Sequence, residues 1–268
     1  MSDDDVDGHE IAKWDPAFTK WVMRTVMPVF QRYFRAEVRG LETFPPAGGV
    51  MLVSNHSGGA LTPDPLILLP AFYQNFGYDR PLYALAHYGV FITPLRGYLG
   101  RLGAIHASPE NAAQALHSGA VVLDFPGGDY DSFRPTVTAN VIDFQGRTGY
   151  VLTAIEADVP IVPAVSIGGQ ETQLFLTRGV WLAKQLGLPR IRMKIFPLTV
   201  GFPFGLTTMM PANLPLPAKL VYQLLEPIHV RAEFGENPDV AEVDAHVRSV
   251  MQRALDRLGR ERRVPLLG

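Results

Sequence analysis

Short apolar runs alternate with helical stretches along most of the chain. Three stretches have helical length and composition, namely Pro65–Phe76, Pro109–Ser118 and Gly149–Ala157. Five predominantly apolar runs have the length of buried strands, namely Val50–Val53, Pro81–Ala86, Val121–Phe125, Ile161–Ile167 and Ile191–Phe196. This order of elements predicts an α/β fold with a mostly parallel sheet covered by helices.

Residues 14–35 follow a helical repeat with two different sides, and Pro28 is expected to kink this helix or split it in two. The apolar side comprises Trp14, Phe18, Trp21, Val22, Thr25, Val26 and Val29. The opposite side comprises Lys13, Lys20, Arg24, Gln31 and Arg35. The pattern fits a helix lying on a membrane, or an ordinary helix that packs on the core.

The chain is therefore divided into three parts. Residues 1–13 are assigned to a disordered acidic tail, residues 14–40 to an amphipathic, membrane-associated helical segment, and residues 41–268 to a single α/β domain. Residues 197–218 form an apolar, irregular stretch that is either an exposed loop or a buried connection. Asn237-Pro238 is expected to start a helix that runs to about Leu258 and ends in a basic tail.

Composition narrows the function classes. The chain has 268 residues, of which 47% are hydrophobic, and this suits one large domain. A formal net charge of -2 gives no reason to expect a nucleic-acid partner. Cysteine is absent and the 7 histidines are scattered, so neither a disulfide nor a metal site is expected. The acidic start is unlike a secretory signal, and no charge-free apolar run reaches the length of a membrane span.

The chemistry-bearing residues begin directly after the first strand. Asn55-His56-Ser57-Gly58-Gly59 leads to Asp64 through a loop rich in glycine and proline. On one continuous helix, residues eight apart would lie about 12 Å apart along the axis, so the two side chains meet only if the chain loops. A histidine beside a carboxylate is a natural general base with its orienting group. The alternative is a structural histidine and a helix-capping aspartate.

A second loop, Phe125-Pro126-Gly127-Gly128, follows a strand, and its glycines allow backbone N–H groups to approach a substrate. The alternative is a plain turn. A third segment carries Arg147-Thr148-Gly149 and leads to Val159–Pro163.

These blocks together resemble the glycerolipid acyltransferase superfamily of the lysophosphatidic-acid acyltransferase type, in a divergent bacterial form. The resemblance runs from about Gly48 to Pro227. His56 with Asp64 resembles its first block, Phe125–Gly128 its third, and Val159–Pro163 its fourth.

The resemblance implies an enzyme of lipid metabolism, in phospholipid biosynthesis or a related pathway. It would move a fatty acyl group from acyl-CoA, or from acyl carrier protein, to the hydroxyl of a lipid acceptor. Acyl-CoA is then a substrate, and no cofactor or metal is implied. The enzyme is expected to sit peripherally on the cytoplasmic side of the cell membrane. The resemblance assigns the base to His56 and its partner to Asp64. It assigns substrate contacts to Asn55, Ser57, Gly58, Gly59, Phe125, Pro126, Gly127, Gly128, Arg134 and Arg147.

Departures from the family pattern bear on the acceptor. Seven residues separate His56 from Asp64 where the family pattern has four. The second block falls at Gly103–Ser108 and lacks the arginine that the family links to an acceptor phosphate, and Gly127 replaces a glutamate. These changes favour a neutral acceptor such as a diacylglycerol, a sugar lipid or a long-chain alcohol, unless Arg134 or Arg147 supplies the charge.

Two rival functions are a lipid esterase and a lipid-binding pseudoenzyme at the membrane surface. The esterase lacks Gly-x-Ser-x-Gly, since Ser166 lies in Ala-Val-Ser-Ile-Gly.

Overall fold

The computed structural model describes residues 10–91, 93–191 and 194–262. The helices in these ranges are α1 (Pro16–Thr25), α2 (Met27–Tyr33), α3 (Asp64–Phe76), α4 (Tyr88–Phe91), α5 (Arg96–Arg101), α6 (Pro109–His117), α7 (Gly128–Ser132), α8 (Gly149–Glu156), α9 (Val180–Gln185), α10 (Val230–Phe234) and α11 (Val240–Glu261). The strands are β1 (Glu37–Arg39), β2 (Val50–Ser54), β3 (Leu82–Ala86), β4 (Ala104–His106), β5 (Val121–Asp124), β6 (Ile161–Ile167), β7 (Leu174–Thr177), β8 (Leu198–Gly201), β9 (Gly205–Thr207) and β10 (Val221–Leu224). Short 3-10 turns occupy Ile11–Lys13, Gly59–Leu61, Thr136–Thr138, Gly169–Glu171 and Leu188–Ile191.

The main sheet has the strand order β1-β10-β6-β2-β5-β3-β4. The five strands from β6 to β4 run parallel to one another, whereas β10 is antiparallel to β6 and β1 runs with β10. The predicted α/β fold with a mostly parallel sheet is therefore confirmed. Parallel alignment places the carboxyl ends of β2, β5, β3 and β4 at one edge, where ligands bind in open α/β sheets.

Helices cover both faces of the sheet, which explains why its central strands are apolar on both sides. Every residue of β2 and β6 is buried. Helices α1, α2 and α3 pack over one face in a core that includes Met27, Leu68 and Phe72. Helices α6, α8 and α11 pack over the other face in a core that includes Leu116 and Met251.

Most of the predicted central elements lie within one or two residues of their expected bounds. The exception among the strands is Ile191–Phe196, and that prediction is wrong. Leu188–Ile191 forms a 3-10 turn, residues 192 and 193 lie outside the described ranges, and no strand follows before Pro197. Ile195 packs instead into a small separate cluster with Phe133 and Phe175. The Phe196 N–H donates a hydrogen bond to the Arg178 carbonyl.

The last helix also starts differently from the prediction. Its N-cap is Asp239, whose carboxylate accepts hydrogen bonds from the N–H groups of Ala241 and Glu242. Asn237 is therefore not the cap, because the charged side chain nearer the helix satisfies its free N–H groups.

The N-terminal part is joined to the main domain more closely than the sequence suggested. The helical repeat divides into α1 and α2 just before Pro28, as predicted. Strand β1, however, lies in the main sheet, so residues 14–40 are not a separate segment. Residues 10–13, which were assigned to a disordered tail, form an ordered turn because the Glu10 carboxylate is buried against His106. Residues 1–9 of that tail lie outside the described ranges.

A second, smaller sheet consists of the antiparallel strands β7, β8 and β9. Residues 197–218 supply two of its strands, and this stretch combines a few buried residues, such as Thr199 and Asn213, with many exposed apolar side chains. The large apolar side chains that this stretch presents to solvent are Val200, Phe202, Phe204, Leu206, Met210, Leu214 and Leu216. Within the described part of the chain, every helix is too short or too polar to cross a bilayer.

Candidate active site

A glycine loop turns the chain back so that the end of β2 meets the start of α3. Gly58 and Gly59 have positive φ values of 88° and 72°, a conformation that glycine adopts without steric cost. A side chain at Gly58 would place its Cβ 2.4 Å from the ring of Pro63. The loop therefore requires glycine, and it brings His56 at the strand end to Asp64 in the first turn of the helix.

The predicted contact between these two side chains is present. His56 Nδ1 lies 3.1 Å from Asp64 Oδ2. The Asp64 side chain is fully buried, whereas the His56 side chain is 17% exposed. An ionised carboxylate can only accept, so Nδ1 carries the proton and Nε2 keeps a free lone pair. The Asp64 carboxylate is engaged with the loop and does not cap α3.

Several neutral donors hold the buried Asp64 carboxylate. Its Oδ2 accepts from the Ser57 N–H at 2.7 Å and from Thr62 Oγ1 at 3.1 Å. Its Oδ1 accepts from Ser57 Oγ at 2.9 Å and from Ser166 Oγ at 2.7 Å. A buried charge is tolerated only when it is hydrogen-bonded in this way. The carboxylate is therefore fixed before any substrate arrives.

Asn55 locks the end of β2 to β6. Its amide donates to the Ser166 carbonyl at 2.9 Å and accepts from the Ser166 N–H at 2.8 Å. Asn55 and Ser57 are thus buried and committed to internal contacts. The structure gives both residues a positioning role, and their predicted contact with substrate stays a prediction. Gly58 and Gly59 are also buried and shape the loop.

The second glycine loop reaches the histidine through Phe125. The two rings stack with centroids 4.3 Å apart. Pro126 and Gly127 are buried, and the Gly128 N–H donates a hydrogen bond to the Phe125 carbonyl. Arg147, which is about half exposed, donates from Nη1 to the carbonyls of Pro126 and Gly127, each at 2.9 Å. Arg147 therefore braces this loop and still reaches solvent.

Asp131 explains why residue 127 is a glycine. A Cβ at Gly127 would lie 2.4 Å from the Asp131 Cβ. Asp131 Oδ2 accepts from the His56 backbone N–H at 2.8 Å. Its Oδ1 accepts from Arg134 at 3.0 and 2.6 Å. Burial raises the pKa of Asp131, and the Arg134 charge opposes that shift. This ion pair holds the backbone of the histidine.

Arg134 accordingly does not lie where the prediction needs it. Its side chain is only 4% exposed and is consumed by the ion pair with Asp131. Of the two arginines proposed for a substrate charge, only Arg147 is accessible.

The family's second block is occupied by a histidine and a carboxylate. His106 ends β4, and its backbone N–H and Nδ1 both contact the Glu10 carboxylate. Phe91 stacks on the imidazole with centroids 3.8 Å apart, and Asn111 donates to Glu10 at 3.1 Å. This position therefore holds a buried carboxylate that pairs with His106 and lies 3.7 Å from Lys13, where the family pattern has an arginine.

Sequence reasoning missed three of the residues that shape the site. Ser166 could have been found from the sequence, because it is a polar residue in an otherwise apolar strand, and that strand runs parallel to β2. Asp131 and Glu10 had no such signal, because their partners lie 75 and 96 residues away along the chain. Within the described ranges, no three histidine or acidic side chains converge to hold a metal ion.

Comparisons with known proteins show the family of the chain. Residues 35–167 match the family described as Acyltransferase. An uncharacterised protein of Mycobacterium tuberculosis is 33% identical over 253 residues, which cover 91% of this chain and 68% of that protein. A human protein described as a DGAT1/2-independent enzyme synthesizing storage lipids is 28% identical over 236 residues, covering 82% of this chain and 65% of its own length.

Among solved structures, the fold is similar to that of a 1-acyl-sn-glycerophosphate (LPA) acyltransferase from Thermotoga maritima. The TM-score is 0.53 at 16% identity, with 90% of this chain and 81% of that chain covered. At that level of identity the likeness concerns the fold.

Proposed function

This chain belongs to the glycerolipid acyltransferase superfamily and is an acyltransferase, and we propose that it acylates the hydroxyl of an uncharged lipid with His56 as the general base. The donor is a fatty acyl thioester, on coenzyme A or on a carrier protein. The observation that carries the proposal is the His56–Asp64 pair at the carboxyl edge of the parallel sheet, where a substrate has access.

The proposed reaction needs no covalent enzyme intermediate. Nε2 of His56 takes the proton from the acceptor hydroxyl as its oxygen bonds to the thioester carbonyl carbon. The carbon–sulfur bond then breaks, and the leaving thiolate takes the proton back from the imidazolium. Asp64 holds the ring in the required tautomer and stabilises its positive charge.

The hydroxyls near the histidine argue against a serine esterase. Ser57 Oγ and Ser166 Oγ each donate to Asp64 Oδ1. A nucleophilic serine would instead donate to the histidine that activates it. These serines therefore support the orienting carboxylate.

Charge around the site favours an uncharged acceptor. Glu10 places a carboxylate at the position where the family pattern has an arginine, and Arg134 is buried in its own ion pair. A phosphate-bearing acceptor would need fixed positive charge there. The names of two relatives point the same way, one for storage-lipid synthesis and one, from mouse, a diacylglycerol O-acyltransferase 2-like protein. We infer an acceptor of the diacylglycerol class.

Peripheral attachment to a membrane belongs to the same proposal. Trp21 and Val29 on α1 and α2 are 56% and 67% exposed. Tyr33 links these helices to the exposed stretch 197–218 by donating to the Pro215 carbonyl at 2.8 Å. Exposed basic residues, Lys20, Arg24 and Arg32, flank the apolar surface. Apolar and basic groups together favour an anionic lipid surface.

Comparing two acceptors tests the proposal. Acyl transfer from acyl-CoA should be faster to diacylglycerol than to lysophosphatidic acid of matched chain length. The Arg147→Ala variant should keep that order of preference. A strong preference for lysophosphatidic acid that Arg147→Ala abolishes would contradict the neutral acceptor.

A further inference from the structure

A cleft rich in positive charge lies beside the Pro126–Gly128 loop. It has a volume of about 470 Å³, and its charged lining residues are Arg147, Lys184, Lys194 and Asp129. Three cations thus face one carboxylate. Asp129 Oδ1 forms an ion pair with Arg147 Nη2 at 3.7 Å. Neither lysine has an ion-pair partner within the described residues. The cleft therefore carries uncompensated positive charge.

A second cleft of about 450 Å³ continues from the first and shares Tyr130, Val180 and Lys184 with it. Arg178 lines this second cleft. Its Nε donates to the Tyr130 carbonyl at 2.6 Å, and its guanidinium lies 4.0 Å above the Tyr130 ring. Its Nη2 is buried and finds no hydrogen-bond acceptor among the described residues.

Because Nη2 has no accessible surface, Arg178 contributes positive charge to the wall of the second cleft rather than a free hydrogen-bond donor. Burial lowers the pKa of Arg178, and the nearby Arg134 charge adds to this effect. A bound anion would stabilise the charged guanidinium and so oppose both causes of the lowered pKa. The shape of the ligand also follows, since two adjoining clefts lined by separate cations suit a group with more than one phosphate.

We propose that these two clefts bind the phosphate-bearing end of the thioester donor. The inference rests on the proposed acyl transfer. Arg147 connects the first cleft to the loop whose Phe125 stacks on His56. In coenzyme A a long pantetheine arm separates the phosphates from the thioester, so the phosphates should bind away from the base. An acceptor headgroup is the other source of phosphate, but the uncharged acceptor argued above carries none.

Binding of free coenzyme A tests the proposal without any turnover. Isothermal titration calorimetry of the full chain should show affinity at least about tenfold weaker for the double variant Lys184→Gln/Lys194→Gln. The charge-conserving Lys184→Arg/Lys194→Arg variant should retain binding. Arg257→Gln, an exposed position on α11 outside the clefts, is the matched control and should bind as wild type does.

Ligand fragments separate the two phosphate sources. Pantetheine, which has no phosphate, should bind wild type and the glutamine variant equally weakly. Glycerol 3-phosphate stands for an acceptor headgroup and should not distinguish them either. Equal coenzyme A affinity in wild type and the glutamine variant would overturn the proposal, as would a loss confined to glycerol 3-phosphate. A chain that binds coenzyme A through these lysines but transfers no acyl group would refute the proposed function alone.

Discussion

His56 is held from three directions before a substrate binds. Asp64 contacts its ring at Nδ1, Asp131 accepts its backbone N–H, and Phe125 stacks on its face. Each contact fixes a different degree of freedom of the side chain. Such pre-organisation places the free Nε2 without reorganisation at the moment of proton transfer. The residues that achieve this lie on α3, on α7 and directly after β5.

Ser166 offers a test of this arrangement at a single residue. In Ser166→Ala, Asp64 loses one of its two hydroxyl donors at Oδ1. We expect a loss of about 1–2 kcal/mol in the free energy of unfolding, because a buried acceptor is left less satisfied. We also expect a fall in kcat of roughly tenfold, for a change of about 1.4 kcal/mol in the barrier.

Urea denaturation and steady-state kinetics measure the two effects. Ser249→Ala, at an exposed position on α11, serves as control and should leave both quantities unchanged. A Ser166→Ala enzyme with wild-type kcat would show that Asp64 needs no support from β6.

At the scale of elements, the sequence predicted the strands and the loop whose signals lie within a short stretch of chain. Strands β2, β5 and β6 were found because both of their faces are buried, which gives continuous apolar runs. The loop from His56 to Asp64 was found because glycine and proline mark a turn. Strands β1 and β4 were missed because three residues carry too little pattern, and β10 was missed because Gln223 interrupts its apolar run.

The same limit applies to the contacts at the site. Ser166 meets Asp64 across 102 residues, and such pairings depend on how the sheet assembles. A single sequence marks Ser166 as a polar residue in an apolar strand, but it carries no local signal for the residue that Ser166 contacts.

Helices α1 and α2 pack on the core, as one of the two interpretations of the N-terminal repeat predicted, and they also leave apolar side chains exposed. Val22, Met23 and Met27 are buried in the core, while Trp21 and Val29 face solvent. The predicted apolar side was therefore too broad, because it merged a core face with an exposed one. Phe18 lies between them, with the Arg101 guanidinium 3.9 Å above its ring.

The exposed face gives a membrane prediction. The double variant Trp21→Ser/Val29→Ser should bind liposomes containing anionic lipid roughly tenfold to a hundredfold more weakly, since burying each side chain contributes about 1.5–3 kcal/mol at most. Co-sedimentation measures the bound fraction. Val137, which is 91% exposed outside these helices, provides the matched control as Val137→Ser. If the double variant sediments with vesicles as fully as the control does, α1 and α2 are not the anchor.

At the scale of the whole molecule, two cores on opposite faces of one sheet carry most of the buried apolar surface. Asp124 stands at the end of β5, where the fully buried apolar run of that strand ends. Burial raises the pKa of Asp124 to about 6, although the Phe125 N–H and Arg147 favour its ionised form. Folding therefore favours the neutral acid relative to the unfolded chain.

This shift makes stability depend on pH with a definite sign. The folded pKa exceeds the ordinary value of 3.8, so the neutral carboxyl's stabilising contribution is lost as pH rises through about 6. Asp124→Asn removes the cost of ionising the carboxyl. We expect it to raise the free energy of unfolding by about 1–3 kcal/mol at neutral pH, and by clearly less in mild acid.

Urea denaturation at both pH values measures that difference, with the exposed Asp79→Asn as control. An Asp124→Asn effect that stays the same in mild acid and at neutral pH would contradict the assignment.

His56 is proposed to take the acceptor proton in an acyl transfer, and the turnover of His56→Ala measures that role most directly. Acyl transfer from acyl-CoA to diacylglycerol is compared with wild type, after circular dichroism and coenzyme A affinity have shown that fold and donor binding are intact. General-base catalysis contributes about 10²- to 10⁴-fold, so kcat should fall by at least that lower factor. A folded His56→Ala protein with near-normal kcat would contradict the account.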